Sequence, residues 1–251
     1  MIIKGKEIGR GKPLICVPVM EKESEKIIKE IQLLAKSCAD MIEWRVDAFE
    51  SFHSANAVRK ILEEIAPYLK DKIFLYTFRS ANQGGTASAT MEELYDLHDL
   101  AAESGCVDLI DLEFFEEEKP VRKIHALHEK GMKVVASHHD FEETPSKEVM
   151  RMLLEKMCGG DADIVKLAVM PNSKEDVLSL LSVTSEFQKD NPDTPVITMS
   201  MGAMGVISRL SGESFGSCVT FAAHEKASAP GQMNMNEVAE ILEMIHKSVI
   251  S

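Results

Sequence analysis

The stretch "DIVKLAVM", residues 163–170, is a short apolar run with one basic residue inside it, Lys166. Apolar runs of this length that are rich in β-branched residues are typical of buried strands. An amine that is buried in such a strand costs free energy unless it is paired or neutralised. The lysine therefore marks this segment both as part of a core and as a candidate site of chemistry.

Seven further short apolar runs lie along the chain, and amphipathic segments with helical spacing lie between them. The eight predicted strands are 14–19, 41–47, 72–80, 107–114, 133–140, 163–170, 195–201 and 218–222. Buried strands that alternate with helices indicate the α/β class, and eight repeats predict a (β/α)8 TIM barrel. The alternative is an open doubly wound sheet, but the GxGxxG motif expected of a dinucleotide-binding sheet does not occur in the sequence.

The repeat runs through the chain without a linker, a low-complexity tract or a shift in composition. Residues 1–251 are therefore expected to form a single barrel domain. Residues 1–12 are expected to form a short N-terminal hairpin that closes the bottom of the barrel. The helix predicted at 144–157 is expected to begin at Thr144 as its cap, followed by a proline.

Net charge and cysteine usage limit the partners and the compartment. The formal net charge of −13 argues against nucleic acid or an anionic membrane as the main partner. The five cysteines are widely spaced and form no CxxC pair, which favours reduced thiols over a disulfide framework or a zinc ribbon. The N-terminus is a poor signal peptide, and no apolar run approaches the roughly 20 residues that cross a bilayer. We therefore expect a cytoplasmic protein.

Polar residues gather at the ends of the predicted strands, where the active sites of such barrels lie. Alternation in the second strand places Glu43, Arg45 and Asp47 on one face, either as site residues or as an ion pair that braces the interior. Arg79 ends the third strand and is either an anion ligand or a surface charge. Arg209 follows the seventh strand, and the loops after strands seven and eight of such barrels often hold an anion.

The fourth and fifth strands add carboxylates and histidines. Asp111 and Glu113 share a face, but no neighbouring cluster completes a metal site, so a structural role fits at least as well and no metal is expected. The fifth strand ends with His138 and His139. Either imidazole is a candidate general acid–base because the pKa of histidine lies near neutrality.

Ile164, Lys166 and Ala168 share one face of the sixth strand. If that face is the barrel interior, desolvation lowers the pKa of the amine and makes it a nucleophile that forms an imine with a ketone or aldehyde. The alternative is a structural lysine paired with an interior carboxylate such as Glu113.

Seven segments, in chain order, resemble those of the type I 3-dehydroquinate dehydratases of the shikimate pathway. The segments are "EWRVD" (43–47), "TFRS" (77–80), "IDLE" (110–113), "HDF" (139–141), "VKLAVM" (165–170), "SMGAMGVISRLSGESFGS" (200–217) and "ASAPGQ" (227–232). The resemblance covers nearly the whole chain. It implies a (β/α)8 barrel, commonly a homodimer, that dehydrates 3-dehydroquinate to 3-dehydroshikimate without a metal or an organic cofactor. Such an enzyme is a lyase of aromatic amino acid biosynthesis.

The resemblance also implies roles for individual residues. Lys166 would form the imine, and His139 rather than His138 would be the general base and then the general acid of a syn elimination. The residues implied to hold the substrate are Glu43, Arg45, Arg79, Arg209, Ser228 and Gln232. Arg209 would take the substrate carboxylate. Many members have a glutamate where this chain has Gln83, which is expected to orient the His139 ring without supplying a charge.

Two other interpretations stay open at this point. A class I aldolase or transaldolase-like barrel also forms an imine on a strand lysine, but it would lack the combination of "EWRVD" and "SxHDF". A barrel that binds quinate-type metabolites without catalysis is the second. The presence of both Lys166 and His139 argues against it.

Overall fold

The computed structural model of the chain describes residues 1–250, so Ser251 of the predicted domain lies outside the described residues. An antiparallel hairpin, β1 (Ile2–Ile3) and β2 (Lys6–Glu7), precedes a sheet of parallel strands. The parallel strands are β3 (Leu14–Val19), β4 (Met41–Arg45), β5 (Ile73–Thr77), β6 (Leu109–Glu113), β7 (Lys133–His139), β8 (Ile164–Val169), β9 (Val196–Ser200) and β10 (Val219–Phe221). The helices within this range are α1 (Ser24–Leu34), α2 (Ala55–Ile65), α3 (Met91–Glu103), α4 (Pro120–Glu129), α5 (Lys147–Gly159), α6 (Lys174–Asp190), α7 (Val206–Leu210), α8 (Gly212–Phe215) and α9 (Met235–Val249).

The parallel sheet is nearly closed into a barrel. Its strand order follows the chain from β3 to β9, and β10 pairs with β3. The seam between β9 and β10 is bridged where Val196 pairs with Ser217 and where the Cys218 N–H donates to the Val196 carbonyl oxygen at 2.9 Å. The predicted (β/α)8 barrel is thereby confirmed.

The strand that carries the buried lysine shows how the barrel divides its side chains. Ile164 and Ala168 belong to an apolar cluster inside the barrel, and Lys166 lies between them on the same face. Val165 and Leu167 belong to the outer cluster that the helices cover. Successive side chains of a strand point to opposite faces, and here both faces are buried, which explains the continuous apolar run.

The helices are amphipathic and pack one face against the barrel. In α2 the buried residues Val58, Ile61, Leu62 and Ile65 recur at helical spacing, and the Ser54 hydroxyl caps the helix N-terminus. The opposite face carries charged residues in contact with water. Among residues 1–250 no helix combines the length and the apolar character needed to span a membrane.

The hairpin closes the lower end of the barrel, at the N-terminal ends of the strands. Ile8 follows β2, is 1% exposed and packs in the inner apolar cluster together with Ile73 and Leu109. Its N–H donates to the Met1 carbonyl oxygen at 2.8 Å, and the terminal ammonium group donates to the Ile8 carbonyl oxygen at 3.0 Å. The expected N-terminal hairpin is confirmed, and apolar side chains fill the interior at this end.

The start of α5 differs from the sequence prediction. The Thr144 hydroxyl donates to the Met170 carbonyl oxygen at 2.9 Å and does not cap the helix. Ser146 caps it instead, and its hydroxyl accepts from the Val149 N–H at 3.4 Å. The prediction of Thr144 as the cap is wrong because its hydroxyl bonds to the Met170 carbonyl, and the Ser146 hydroxyl, two residues later, accepts from the first turn of the helix instead.

Candidate active site

A pocket opens at the upper end of the barrel, where the strands have their carboxyl ends. It is lined by Glu43, Arg45, Arg79, Gln83, Gly84, His139, Phe141, Lys166, Ala168, Met199, Met201, Phe221, Ser228, Ala229 and Gln232. Eight of the nine site residues predicted from the sequence are in this set. The ninth, Arg209, lies beside the pocket, with its Nη1 atom 3.6 Å from the Met199 sulfur.

Lys166 lies on β8 with its amine inside the barrel and is 3% exposed. Its Nζ atom lies 3.4 Å from Asp111 Oδ2 and 3.8 Å from Glu43 Oε1. It also lies 4.4 Å from the centre of the Phe221 ring, a distance typical of a cation–π contact. The carboxylates that face the amine are therefore Asp111 and Glu43. The sequence-based alternative of a pair with an interior carboxylate is thus met by Asp111 and Glu43, and only its named example, Glu113, is wrong.

Glu113 pairs with Arg79 instead. The Arg79 guanidinium lies 2.9 Å from Asp111 Oδ1 and 2.8 Å from Glu113 Oε1, and it donates to the Ser137 hydroxyl at 3.0 Å. Burial alone would lower the pKa of Arg79, but these carboxylates raise it above its usual value. Burial likewise acts to raise the pKa of Asp111, while Arg79 and Lys166 hold it below its usual value. Arg79 is thus the centre of a buried charge network, whatever it also contacts in a ligand.

The sequence places Asp47 on the face of Glu43 and Arg45 without giving it a role of its own, and in the structure it holds two parts of the site in place. Its carboxylate accepts two hydrogen bonds from Arg45, at 2.7 and 2.8 Å, in the two-point geometry that orients a guanidinium. It also accepts from the backbone N–H groups of Arg79, at 3.1 Å, and Thr86, at 3.0 Å. β4 ends at Arg45 and a 3-10 helix covers Val46–Ala48, so strand alternation does not predict where this side chain points.

The loop that Asp47 holds makes a close backbone approach at its glycines. A Cβ atom on Gly85 would lie 1.9 Å from the Arg79 carbonyl oxygen, a distance that no side chain can accommodate. Gly84 has a φ of 81°, and a Cβ atom there would meet the Phe141 ring at 2.4 Å. These two glycines bring Gln83 against β7.

The structure separates the two histidines at the end of β7. His139 lines the pocket, while the His138 ring packs against Phe115 with the ring centres 5.3 Å apart. The Gln83 Oε1 atom lies 2.9 Å from the His139 backbone nitrogen and 3.1 Å from its Nδ1 atom. Burial, followed by the positive charges of Arg79 and Lys166, lowers the pKa of His139 well below its usual value. The surroundings of the ring therefore favour the neutral imidazole.

Arg209 differs from Arg79 in its surroundings. It lies on α7, is 4% exposed, and donates to the Pro230 carbonyl oxygen at 3.0 Å. Among residues 1–250 no carboxylate lies within 4.0 Å of its guanidinium, and burial lowers its pKa to about 10. A buried cation that lacks an internal counterion is well suited to bind an anion from outside.

The loop between β10 and α9 covers one side of the pocket. Within it the Ser228 N–H donates to Gln232 Oε1 at 2.8 Å, and Gln232 Nε2 donates to the Ser228 hydroxyl at 2.9 Å. Gly231 has a φ of 80°, and a Cβ atom there would lie 2.3 Å from the Gly202 carbonyl oxygen. The loop therefore packs directly on the loop after β9 and presents two polar side chains at the mouth of the pocket.

Within the described part of the chain, no three histidine, cysteine, aspartate or glutamate side chains converge in a way that could hold a metal ion. The carboxylates of the interior face arginine and lysine instead, as the ion pairs above describe. The chemistry available in the pocket is that of an amine, an imidazole and buried charges.

Comparisons with known proteins give one answer. A family model described as type I 3-dehydroquinase matches residues 15–249. The 3-dehydroquinate dehydratase of Clostridioides difficile (strain 630) is 43% identical over 248 residues, which are 98% of this chain and 97% of that protein. The one of Bacillus subtilis (strain 168) is 42% identical over 249 residues, 99% of this chain and 98% of that protein.

Solved structures agree with the sequence relatives. The structure of type I 3-dehydroquinate dehydratase from Clostridium difficile with covalent modified comenic acid has a TM-score of 0.94 at 43% identity, covering 99% of this chain and 98% of that one. The 3-dehydroquinate dehydratase of Geobacillus kaustophilus HTA426 also has a TM-score of 0.94, at 33% identity, covering 98% and 96%.

Proposed function

The chain belongs to the type I 3-dehydroquinase family, a family of hydro-lyases, and from this premise we propose how it dehydrates 3-dehydroquinate to 3-dehydroshikimate. The observation that carries the proposal is that a buried lysine amine and an imidazole line the same pocket. The roles below are assigned to the side chains of this chain on the basis of their contacts.

Lys166 supplies the amine. Its Nζ atom adds to the C3 ketone of the substrate, and loss of water leaves an iminium ion that joins Nζ to C3. The iminium ion accepts an electron pair more readily than the ketone does, so the hydrogen on C2 becomes more acidic. Asp111 and Glu43, at 3.4 and 3.8 Å from Nζ, are placed to balance the positive charge of this intermediate.

His139 moves the protons of the elimination. It takes the C2 proton as a general base, and the C–H electron pair forms an enamine. The enamine then expels the C1 hydroxyl group, which His139 protonates so that it leaves as water. Hydrolysis of the conjugated iminium ion releases the product and restores the amine. Because one imidazole serves both steps, the proton and the hydroxyl leave from the same face, which makes the elimination syn.

Arg209 binds the substrate carboxylate, because it is the buried guanidinium without an internal carboxylate partner among the described residues. The ring hydroxyls are held by polar groups that surround the pocket. These are Glu43, Arg45, Arg79, Ser228 and Gln232. Ser228 and Gln232 hydrogen-bond to each other and can exchange that contact for substrate hydroxyls.

Borohydride trapping tests the imine directly. Incubation with 3-dehydroquinate and borohydride is expected to reduce the iminium ion and to leave an added mass on the peptide that contains Lys166. In the absence of borohydride, the conjugated enone of the product is expected to absorb in the ultraviolet. Trapping on another residue would overturn the assignment of Lys166, and binding without new absorbance would favour a non-catalytic metabolite-binding barrel.

An aldolase or transaldolase-like reaction is the second enzymatic candidate, since it also passes through an imine. It predicts cleavage or transfer of a carbon–carbon bond rather than loss of water. Analysis of the products by mass separates the two, because dehydration removes 18 mass units and keeps all the carbons together. Fragments shorter than the seven-carbon substrate would contradict the dehydratase.

We further propose that residues 1–251 act as one catalytic domain, that the protein is a cytoplasmic homodimer, and that it serves the shikimate pathway. The exposed apolar side chains on the helices offer surface for a second copy, among them Leu178 and Ile207. Light scattering during size-exclusion chromatography tests the dimer. A fully active monomer at micromolar concentration would contradict it.

A further inference from the structure

A separate cavity of about 490 Å³ lies on the flank of the barrel between α3 and α4, away from the pocket that Lys166 lines. Its size is within the range of small-molecule sites. Four basic side chains line it, against two carboxylates, Asp99 and Glu118, of which Glu118 is exposed to water. The basic residues are Lys119, Arg122, Lys123 and Lys130. Because the whole chain has a formal net charge of −13, this local excess of positive charge distinguishes the cavity from the rest of the surface.

Lys123 is the one buried cation of this group. Its side chain is 10% exposed, and its ammonium group lies 4.1 Å from the centre of the Tyr95 ring, a distance typical of a cation–π contact. The ring is held in turn, since the Tyr95 hydroxyl donates to Glu117 Oε2 at 3.0 Å. The cation is therefore held in place at the wall of the cavity before any ligand arrives.

The ammonium group of Lys123 has three donors and lacks acceptors for them. Among residues 1–250 it makes no hydrogen bond, and the one carboxylate within 4.0 Å is Asp99, at 3.9 Å. That same Asp99 oxygen already pairs with Lys130 at 2.7 Å. Burial lowers the pKa of Lys123 below its usual value, as expected of a cation whose surroundings do not compensate its charge. Such a group is well suited to take an anion from solution.

The start of α4 adds positive charge to the same cavity. In the described part of the chain, no carboxylate lies within 4.0 Å of the side chains of Lys119 and Arg122. Lys119 is the N-cap residue of α4 and makes no side-chain cap, so no side chain of this residue accepts from the first N–H groups of the helix. The partial positive charge of a helix N-terminus therefore adds to that of the two side chains.

We propose that this cavity is a binding site for the phosphate group of a small anion, held by Lys123, Lys119 and Arg122. A phosphate group carries up to two negative charges and at least three acceptor oxygens, so it can engage several cations at once, whereas a single cation neutralises a carboxylate. Asp99 stays paired with Lys130. None of these residues lines the pocket of the proposed dehydration, so this site does not depend on that function.

Isothermal titration calorimetry with inorganic phosphate at constant ionic strength tests the site. The titrations use the full-length chain with Arg209→Met, so that the anion site proposed in the catalytic pocket does not contribute. We expect one binding site with a Kd at or below about 1 mM, because three cations act together. Absence of binding up to about 10 mM phosphate would overturn the proposal and would leave imine trapping on Lys166 unaffected.

Variants in the same background locate the bound phosphate. Lys123→Met keeps the stem of the side chain on the Tyr95 ring without the charge, and it should raise the Kd by about tenfold or more. Arg122→Gln changes an exposed position and should raise the Kd by about threefold or more, which gives a second result that does not depend on a buried side chain. Lys60→Met removes an exposed lysine of α2 and is the matched control. An equal effect of Lys60→Met and Lys123→Met would reduce the binding to general attraction and would contradict the site.

A second titration, with glycerol 3-phosphate, identifies the source of the phosphate group. Tighter binding of the ester than of inorganic phosphate would support a site for a phosphorylated metabolite, and tighter binding of inorganic phosphate would support a site for the free ion. Either preference must be lost in Lys123→Met. A preference that persists in Lys123→Met would place the anion elsewhere and would overturn the proposal.

Discussion

The lower and upper layers of the barrel interior are built on the same strands, yet they differ completely in chemistry. The lower layer is apolar, and it is formed by Met41, Ile73, Leu109, Val135 and Ile164. Two residues further along the same strands, the upper layer presents Glu43, Leu75, Asp111, Ser137 and Lys166, four of them polar or charged. The change occurs within roughly 7 Å on each strand. A barrel can thus keep its stability and its chemistry in separate layers of one sheet.

The upper layer holds charges that are costly to bury, and it offsets that cost by pairing them. Asp111 faces both Arg79 and Lys166, and the Ser137 hydroxyl donates to it at 2.6 Å. Removing one member of such a network leaves its partner uncompensated, which costs about 3–5 kcal/mol. The lower layer has no such dependence, because each apolar side chain is stabilised by its own burial.

The largest expected effect separates the two layers on a single strand. Lys166→Met should lower kcat by at least about 10⁴-fold, because the proposed nucleophile is removed while the shape of the side chain is nearly kept. Ile164→Val, two residues away, is the matched control and should keep kcat within a factor of about two to three. Enone absorbance measures turnover, and circular dichroism checks that both variants fold. Substantial turnover by Lys166→Met would contradict the claim that the chemistry depends on the upper layer.

A cavity in the lower layer should lower the stability of the protein and leave its turnover nearly unchanged. Ile164→Ala is expected to lower the free energy of unfolding by about 2–5 kcal/mol, since a fully buried side chain is truncated where the core cannot collapse fully. Turnover at 25 °C should be nearly unchanged as long as the protein stays folded. Urea denaturation measures the first quantity and initial rates the second. A loss of turnover without a loss of stability would show that the layers are coupled.

The two buried arginines sharpen the comparison within the upper part of the molecule. Arg209→Met should lower kcat/KM by about 10²-fold and leave stability nearly unchanged, since this guanidinium has no internal carboxylate partner among the described residues. Arg79→Met should lower stability as well, because it leaves Glu113 without its counterion and Asp111 with Lys166 alone. Substrate kinetics and urea denaturation on both variants give the two quantities. If Arg209→Met and Arg79→Met lost equal amounts of unfolding free energy, the proposed difference between the two arginines would be contradicted.

The smallest effect concerns the shell between barrel and helices, where His98 is buried and its pKa is lowered to about 3, mainly by burial. The unfolded chain binds a proton near pH 6.5 and the folded chain does not, so stability is complete above that pH and is lost as the pH falls toward 3. From pH 7 to pH 5 the loss should be roughly 2 kcal/mol. In His98→Leu, urea denaturation should show a free energy of unfolding that depends less steeply on pH. His125→Gln replaces an exposed histidine, serves as the control, and should keep the original pH dependence. If the free energy of unfolding of His98→Leu depended on pH as steeply as before, His98 would not be the cause of that dependence.

Local patterns in the sequence predict much of this arrangement. Period-two alternation groups Glu43 with Arg45, and Lys166 with Ile164 and Ala168, on one face of their strands, and that grouping needs no knowledge of the other strands. The order of the strands follows from their alternation with helices. The hairpin at the lower end is also signalled by its own short segment of sequence.

The partners of those side chains depend on contacts between distant segments, which alternation does not specify. Whether Lys166 faces Glu113 or Asp111 depends on the relative heights of β6 and β8, which are not adjacent strands. Asp47 acts through the backbone of a loop about forty residues further along the chain. These contacts become visible only when the barrel closes.

The hairpin that fills the lower end has a kinetic consequence for the proposed reaction. With Ile8 seated among the lower side chains, reactant, product and the released water must all use the opening beside Ser228 and Gln232. The product must leave by the path along which the next reactant arrives. Accumulated 3-dehydroshikimate should therefore compete with 3-dehydroquinate for the free enzyme. Because the two share one passage, each product molecule must leave before the next reactant can enter.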